Sequence, residues 1–292
     1  MRSELTAQSE TESNAGAVER DGYCLNWVRE GAGIPMLVVG SRRYYPRVFP
    51  PSLREHFEIV FCDLRHFAPN PEPRPDARVS RDLYSDDIEA VRRAAGLDRP
   101  VVVGHSIHAA IAIEYARRNP QAVRGVVAIA GALPSGDVGQ FMQAAADFFP
   151  NDAGPARLAA HERNLATRRV PEQIESSQDF IDAYVSTDAM KWYDVDFDSS
   201  DLWKGVEIDV SVFAQLSSPD AYPVGDLEPI DVPVFLALGR YDYGLPYFLW
   251  DDAARQQWPN LRLRLYEKSA HTPQYEQPEE FTADVADWAA SL

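Results

Sequence analysis

Residues 99–120 read RPVVVGHSIHAAIAIEYARRNP. Val101, Val102 and Val103 make a short continuous apolar run of the kind that fills a fully buried parallel strand, and from Ile107 the apolar positions recur at helical spacing. A strand that turns into a helix within three residues needs a position without a side chain near the bend, which Gly104 supplies. In an open α/β sheet the functional groups collect in the loops at the carboxyl ends of the strands, which is where Ser106 lies. Its hydroxyl admits two readings at this point. It is the ordinary N-cap of a helix, or it is a nucleophile lifted above the sheet, with the first helical amides aimed at the same place.

Outward from this stretch the chain alternates strand and helix patterns. YCLNWVRE alternates as an antiparallel strand with one wet face would, PMLVVG and EIVFCD are buried strands, and PSLREHF between them is a helical candidate. PNPEPRPDARVS carries too much proline for either element and reads as a loop. The helix SRDLYSDDIEAVRRAAG follows, capped by Ser80 and closed at Gly96. VRGVVAIAGA is another buried strand, and VPVFLALG and LRLRLYE resume the sheet near the C-terminus, before a final helix in PEEFTADVADWAASL. Repeated strand, helix, strand units predict a parallel sheet with helices on both faces. Between about Leu133 and Pro229 strands fade and helical stretches appear, carrying Phe141, Phe148, Phe149, Phe180, Tyr184, Trp192, Tyr193 and Trp203. The expected organisation is a loose polar tail over 1–16, a core formed by 17–132 and 230–292, and a helical cap over 133–229.

The 292 residues are 45% hydrophobic and 25% charged, the balance of a soluble globular chain long enough for a substantial core, and no run of eighteen apolar residues exists to cross a bilayer. Met1 to Gly16 lacks the apolar segment of a secretory signal, so the expected location is the cytoplasm. Cys24 and Cys62 read as small buried thiols rather than a bridge. A net charge of −17 argues against nucleic acid, whose binding depends on clustered Lys and Arg, and favours neutral or cationic substrates over polyanions. The partner expected is a small molecule, with neither nucleic acid nor membrane, and a homo-oligomer is compatible with the sequence.

A nucleophilic serine needs a base, and the base an orienting acid. Among the six histidines, alternation points His105 away from the Ser106 hydroxyl, and His108, two positions into the helix, faces away as well. His56 and His161 lie in helical stretches, and His66 follows a strand in CDLRHFAPN as a pocket candidate. His271 lies in the loop SAHTPQYEQPEEF directly after a strand and can reach across toward Ser106. Asp242, in GRYDYGLP, follows the strand VFLALG with Pro246 opening the next turn.

The order Ser106, Asp242, His271, with each residue at a strand end and GHSIH as a nucleophile elbow, resembles the α/β-hydrolase superfamily from about residue 20 to the C-terminus. The resemblance implies an eight-stranded, mostly parallel sheet with a helical cap. It also implies a Ser-His-Asp triad that cleaves a carboxylic ester or lactone through an acyl-enzyme, without metal or organic cofactor. In this chain His108 replaces the second elbow glycine, with the small residues Ala109 and Ala110 one step further on. The expectation is therefore a strained Ser106 whose neighbour His108 packs beside the sheet on a hydrogen bond. VVGSRRYYPRVFP stands where relatives carry a His-Gly pair; placed on that pattern, the backbone amides of Arg42 and Ile107 form the oxyanion hole. Ser41, Tyr45, Arg47 and His66 are the substrate-contact candidates, the arginine and tyrosine cluster being equally open to ion pairs with the acidic residues of the cap. The aromatic cap favours an apolar substrate. Amide or aminopeptidase chemistry and carbon–carbon bond hydrolysis use the same three residues, and a ligand-binding receptor on the same fold is the reading from another class.

Overall fold

The computed structural model describes residues 14–68, 79–131, 138–216 and 228–292. Eight strands form one sheet: β1 Ala15–Arg20, β2 Tyr23–Gly31, β3 Ile34–Gly40, β4 Phe57–Asp63, β5 Val101–His105, β6 Gly125–Ile129, β7 Val234–Gly239 and β8 Leu261–Tyr266. Their order is β1-β2-β4-β3-β5-β6-β7-β8. β2 runs antiparallel to β1 and β4, and every other pairing is parallel. The α-helices described are α1 Tyr45–Val48, α2 Arg81–Ala94, α3 Ile107–Arg118, α4 Val138–Asp152, α5 Pro155–Thr167, α6 Ser177–Ser186, α7 Val210–Leu216, α8 Asp252–Gln256, α9 Pro273–Glu276 and α10 Pro278–Ala290. α4 to α7 fall between β6 and β7. None of these helices is long and apolar enough to cross a membrane.

Burial along the strands explains the sheet. β5, β6 and β7 are buried at every position, as strands covered on both faces must be, whereas β1 and β8 alternate at the edges. In β8 the outward Arg262 and Arg264 pair with Asp287 and Asp284 of α10. Val102 packs with α2 and α3 on one face, while Val101 and Val103 join the core of the other face with α10 and the aromatic residues around α1. Cys24 and Cys62 are both free thiols, Cys62 buried and Cys24 partly so.

Two local expectations need correction. β1 already begins at Ala15, so the tail expected over 1–16 is shorter by two residues at its end; residues 1–13 lie outside the described residues. PSLREHF forms only a 3-10 turn, Pro51–Glu55, because β4 starts two residues later. Most of the proline-rich loop, residues 69–78, lies outside the described residues, as do 132–137 and 217–227 at the ends of the insertion.

The topology also places the site. β3 lies between β4 and β5, so the chain leaves β3 to one side first and returns to its other side as β5. Connections departing in opposite directions open a crevice at the carboxyl ends of β3 and β5. Gly40 to Tyr44 form one lip and Ser106 the other.

Candidate active site

Ser106 takes φ 57° and ψ −131° between β5 and α3. A non-glycine residue in that region costs about 1–3 kcal/mol and persists only where its surroundings hold it. They do so here. Ser106 N–H donates to Ile129 O of β6 at 2.8 Å, and Ser106 O accepts from Ala109 N at 2.9 Å. The bend brings α3 so close that a Cβ on Gly104 would stand 2.0 Å from His108 O. Each of the fully buried valines of β5 contributes about 1.5–3 kcal/mol, enough together to offset the strain. The elbow therefore keeps its strained serine although its second glycine is a histidine.

His108 fits because Gly40, on the facing strand, leaves room: a Cβ there would lie 3.2 Å from the imidazole. Its Nδ1 is 3.1 Å from His105 O and 2.7 Å from Tyr45 Oη, and its Nε2 is 2.9 Å from His66 Nε2. His66 Nδ1 is in turn 2.7 Å from Tyr84 Oη. Burial holds the His108 imidazole down to about 4 and His66 well below its ordinary value, so both rings are neutral at pH 7. One ring must donate and the other accept at the shared contact, which makes the row from Tyr45 to Tyr84 a one-directional chain of hydrogen bonds beneath the elbow. This chain corrects two substrate-contact expectations. The His66 ring and the Tyr45 hydroxyl are buried and committed to it rather than open to a ligand.

The chain has a measurable consequence. His108→Leu strands His66 Nε2, and His66→Leu strands His108 Nε2, each orphan costing about 1–3 kcal/mol. The double variant is expected to lose about 1–2 kcal/mol less than the sum of the singles in urea unfolding, since it leaves fewer orphans. Strict additivity would contradict the pairing. The folded imidazole of His108 stays neutral down to about pH 4, whereas an unfolded one takes up a proton near 6.5. Stability from this site is therefore full above about 6.5 and is lost as pH falls toward 4, so the advantage of wild type over His108→Leu narrows across that window.

On the other side of the crevice, His271 Nδ1 lies 2.7 Å from Asp242 Oδ2. Asp242 is 1% exposed and His271 6%. Facing a carboxylate, Nδ1 is the donor of this contact, which makes Nε2 the ring nitrogen that can accept in a neutral imidazole. Oδ1 of Asp242 accepts the amides of Gly244 and Leu245, each at 3.0 Å, which fixes the carboxylate. No hydrogen bond joins Ser106 Oγ to His271 among the described residues; such contacts are often long before a substrate is bound. The link that is present runs through the residue before the serine. His105 Nε2 donates to His271 O at 2.7 Å, with the ring centroids 4.9 Å apart. His105, expected to point away from the hydroxyl, thus packs its ring against that of His271.

The remaining expectations are redistributed. The Arg42 amide donates to Asp63 Oδ1 at 2.8 Å while its guanidinium pairs with Oδ2 at 2.9 Å, so this amide is not free for an oxyanion. Ser41 Oγ accepts the amides of Arg43 and Tyr44 and caps the turn into α1 instead of facing a ligand. Arg47 Nη1 donates to Leu202 O at 2.7 Å, fastening α1 to the insertion. Ile107 opens α3, where the first amides have no partner within the helix.

Residues 189–193 of the insertion form a strap that sequence reasoning missed. Met190 O accepts Tyr243 N at 3.2 Å and Lys191 O accepts His271 N at 2.9 Å, so one segment holds both the Asp242 loop and the His271 loop. Arg157, buried without a carboxylate partner among the described residues, donates to Ala189 O, Trp192 O and Tyr193 O at 2.6–2.8 Å. Glu276, raised to about 7 by burial, accepts Ala270 N and Tyr193 N from either side. The aromatic residues of the insertion are divided in role: Trp192 and Trp203 are buried core, whereas Tyr193 is exposed. Among the described residues no three His, Cys, Asp or Glu side chains are grouped to hold a metal ion.

Comparison with known proteins bears on this arrangement. A family model described as alpha/beta hydrolase fold matches residues 33–278. The AB hydrolase superfamily protein YclE of Bacillus subtilis (strain 168) is 32% identical over 281 residues, covering 94% of this chain and 98% of that protein. An alpha/beta fold family hydrolase from Bacillus anthracis str. Sterne superposes with a TM-score of 0.66 at 16% identity, covering 94% of this chain and 98% of its own. Est816, an N-acyl homoserine lactone degrading enzyme, superposes with a TM-score of 0.61 at 20% identity, covering 92% and 98%.

Proposed function

This chain belongs to the α/β-hydrolase family, and on that premise we propose that it cleaves a carboxylic ester or lactone of a small molecule through an acyl-enzyme on Ser106. The observation that carries this reading is the strained Ser106 at the end of β5, whose chain neighbour His105 is hydrogen-bonded to the backbone of His271 in the His271–Asp242 pair. Ser106 Oγ attacks the carbonyl carbon as His271 Nε2 takes its proton, and Asp242 keeps the other ring nitrogen protonated and stabilises the imidazolium. The tetrahedral oxyanion is received by backbone amides. One is that of Ile107. Because the Arg42 amide is engaged by Asp63, we assign the second donor to the amide of Ser41, one residue nearer the end of β3. Collapse of the intermediate expels the alcohol, which takes the proton from His271. Water then attacks the acyl carbonyl with His271 again as base, releasing the acid and restoring Ser106.

Residues 133–229 are read as the cap over this crevice. The experiment is a panel of esters, lactones, aminoacyl amides and β-diketones presented to the pure protein. Turnover of esters or lactones with a burst of alcohol ahead of the acid supports the reading. Amide cleavage alone, carbon–carbon cleavage alone, or binding without any turnover would replace it with one of the other uses of this fold.

A further inference from the structure

The chain has only three lysines, Lys191, Lys204 and Lys268. Lys204 and Lys268 are exposed, Lys204 paired with Asp201. Lys191 is different. Its carbonyl belongs to the strap and accepts the amide of His271. Its side chain runs the other way: Nζ donates to Tyr184 O at 2.8 Å and lies 3.5 Å from the centre of the Tyr184 ring. Tyr184 packs on Trp203 at 4.9 Å, and Trp203 packs at 4.3 Å on Tyr44, which belongs to the lip after β3. Lys191 therefore joins the base side of the crevice to the wall above its oxyanion side.

An ammonium group has three donors. One is used on Tyr184 O, and no carboxylate lies within ion-pairing distance of Nζ among the described residues. The aromatic face offsets part of the cost of half-burying the charge, Nζ makes no side-chain hydrogen bond other than that to Tyr184 O among the described residues, and a charge drawn partly out of water is unfavourable unless something meets it. Burial lowers the Lys191 pKa to about 8, with Asp188 and Asp242 opposing the shift, so the cation predominates at neutral pH.

We propose that the Lys191 ammonium receives a carboxylate of the substrate, so that the ester or lactone opened at Ser106 is that of an anionic, carboxylate-bearing molecule. The proposal rests on the hydrolase reading above and adds its substrate class. It reverses locally what the net charge of −17 suggests, because a half-buried cation close at hand outweighs distant surface charges that solvent screens. A lysine that served only to pin Tyr184 would leave selectivity between charged and neutral substrates untouched.

The test compares monoethyl glutarate and monoethyl adipate with ethyl pentanoate and ethyl hexanoate, followed by acid release. For wild type the kcat/KM of at least one hemiester is expected to exceed that of its neutral counterpart tenfold or more. Lys191→Met is expected to reduce that ratio at least tenfold, mainly through KM, and Lys191→Arg to retain most of it. A wild-type ratio of one or less, or a ratio unchanged in Lys191→Met, overturns the proposal and leaves the hydrolase reading standing. Should Lys191→Met fail to fold by circular dichroism, Lys191→Gln takes its place. If no ester is turned over, the hydrolase reading fails by itself, and titration calorimetry decides the subsite. On Ser106→Ala protein, monoethyl adipate is expected to bind at least tenfold tighter than on Ser106→Ala/Lys191→Met, and equal binding overturns the proposal.

Discussion

Ser106→Ala is expected to lower kcat on any ester substrate by about 10³-fold or more while leaving the melting temperature within a few degrees of wild type. The two halves of the expectation come from different observations. The chemical loss follows from the nucleophile itself, since without Oγ only the oxyanion donors and substrate binding remain to accelerate the reaction. The small stability change follows because Ser106 Oγ makes no hydrogen bond among the described residues, so its removal strands no partner. The backbone bonds from Ser106 to Ile129 and Ala109 do not involve the side chain. Alanine is no more comfortable than serine at φ 57°, so the strain neither grows nor vanishes. A variant retaining more than about a tenth of the wild-type rate would remove Ser106 from the mechanism.

Asp242→Asn is expected to reduce kcat by about 10³–10⁴-fold with little loss of fold, for a reason the local bonding makes specific. Oδ1 of Asp242 is held by the amides of Gly244 and Leu245. Asparagine keeps its carbonyl oxygen on those two donors and turns its NH₂ toward His271. Two donors then face each other across the present 2.7 Å contact, which forces the imidazole to carry its proton on Nε2, the nitrogen that must accept from Ser106. His271→Gln is expected to be as damaging, whereas His108→Gln is not, because His108 faces the chain beneath the elbow and not the crevice. Circular dichroism and steady-state rates on the four proteins check both statements. Equal damage from His108→Gln and His271→Gln would mean that the base has been misassigned.

How much of this was legible in the sequence depends on whether a residue's partner is near it in the chain. The valine run, the glycine bend and the small residues after His108 are local signals, and the strand, the strained serine and the close helix follow from them directly. The placement of Asp242 and His271 at successive strand ends is also local, and their 2.7 Å pairing follows once β7 and β8 run side by side. The oxyanion lip was not legible to the residue. The Arg42 amide is engaged by Asp63, 21 positions on and on the neighbouring strand, and no spacing within SRRYYP announces that. His66 and Tyr45 looked like pocket residues because each follows a strand; what withdraws them is His108, a residue 42 and 63 positions away. The strap eluded sequence reasoning for a different cause. Its hydrogen bonds to the Asp242 and His271 loops are made by backbone carbonyls, which carry no residue signature. Lys191 left one faint clue, its rarity as a lysine in a chain that uses arginine almost throughout.

The most direct test of the central claim is intact-mass and peptide mass spectrometry after acid quench of the protein reacting with p-nitrophenyl acetate. The account predicts one acetyl group per chain, located on Ser106, formed at the rate of the nitrophenolate burst and absent from Ser106→Ala. Steady turnover with no acetylated chain, or with the acetyl group on a residue other than Ser106, would contradict it.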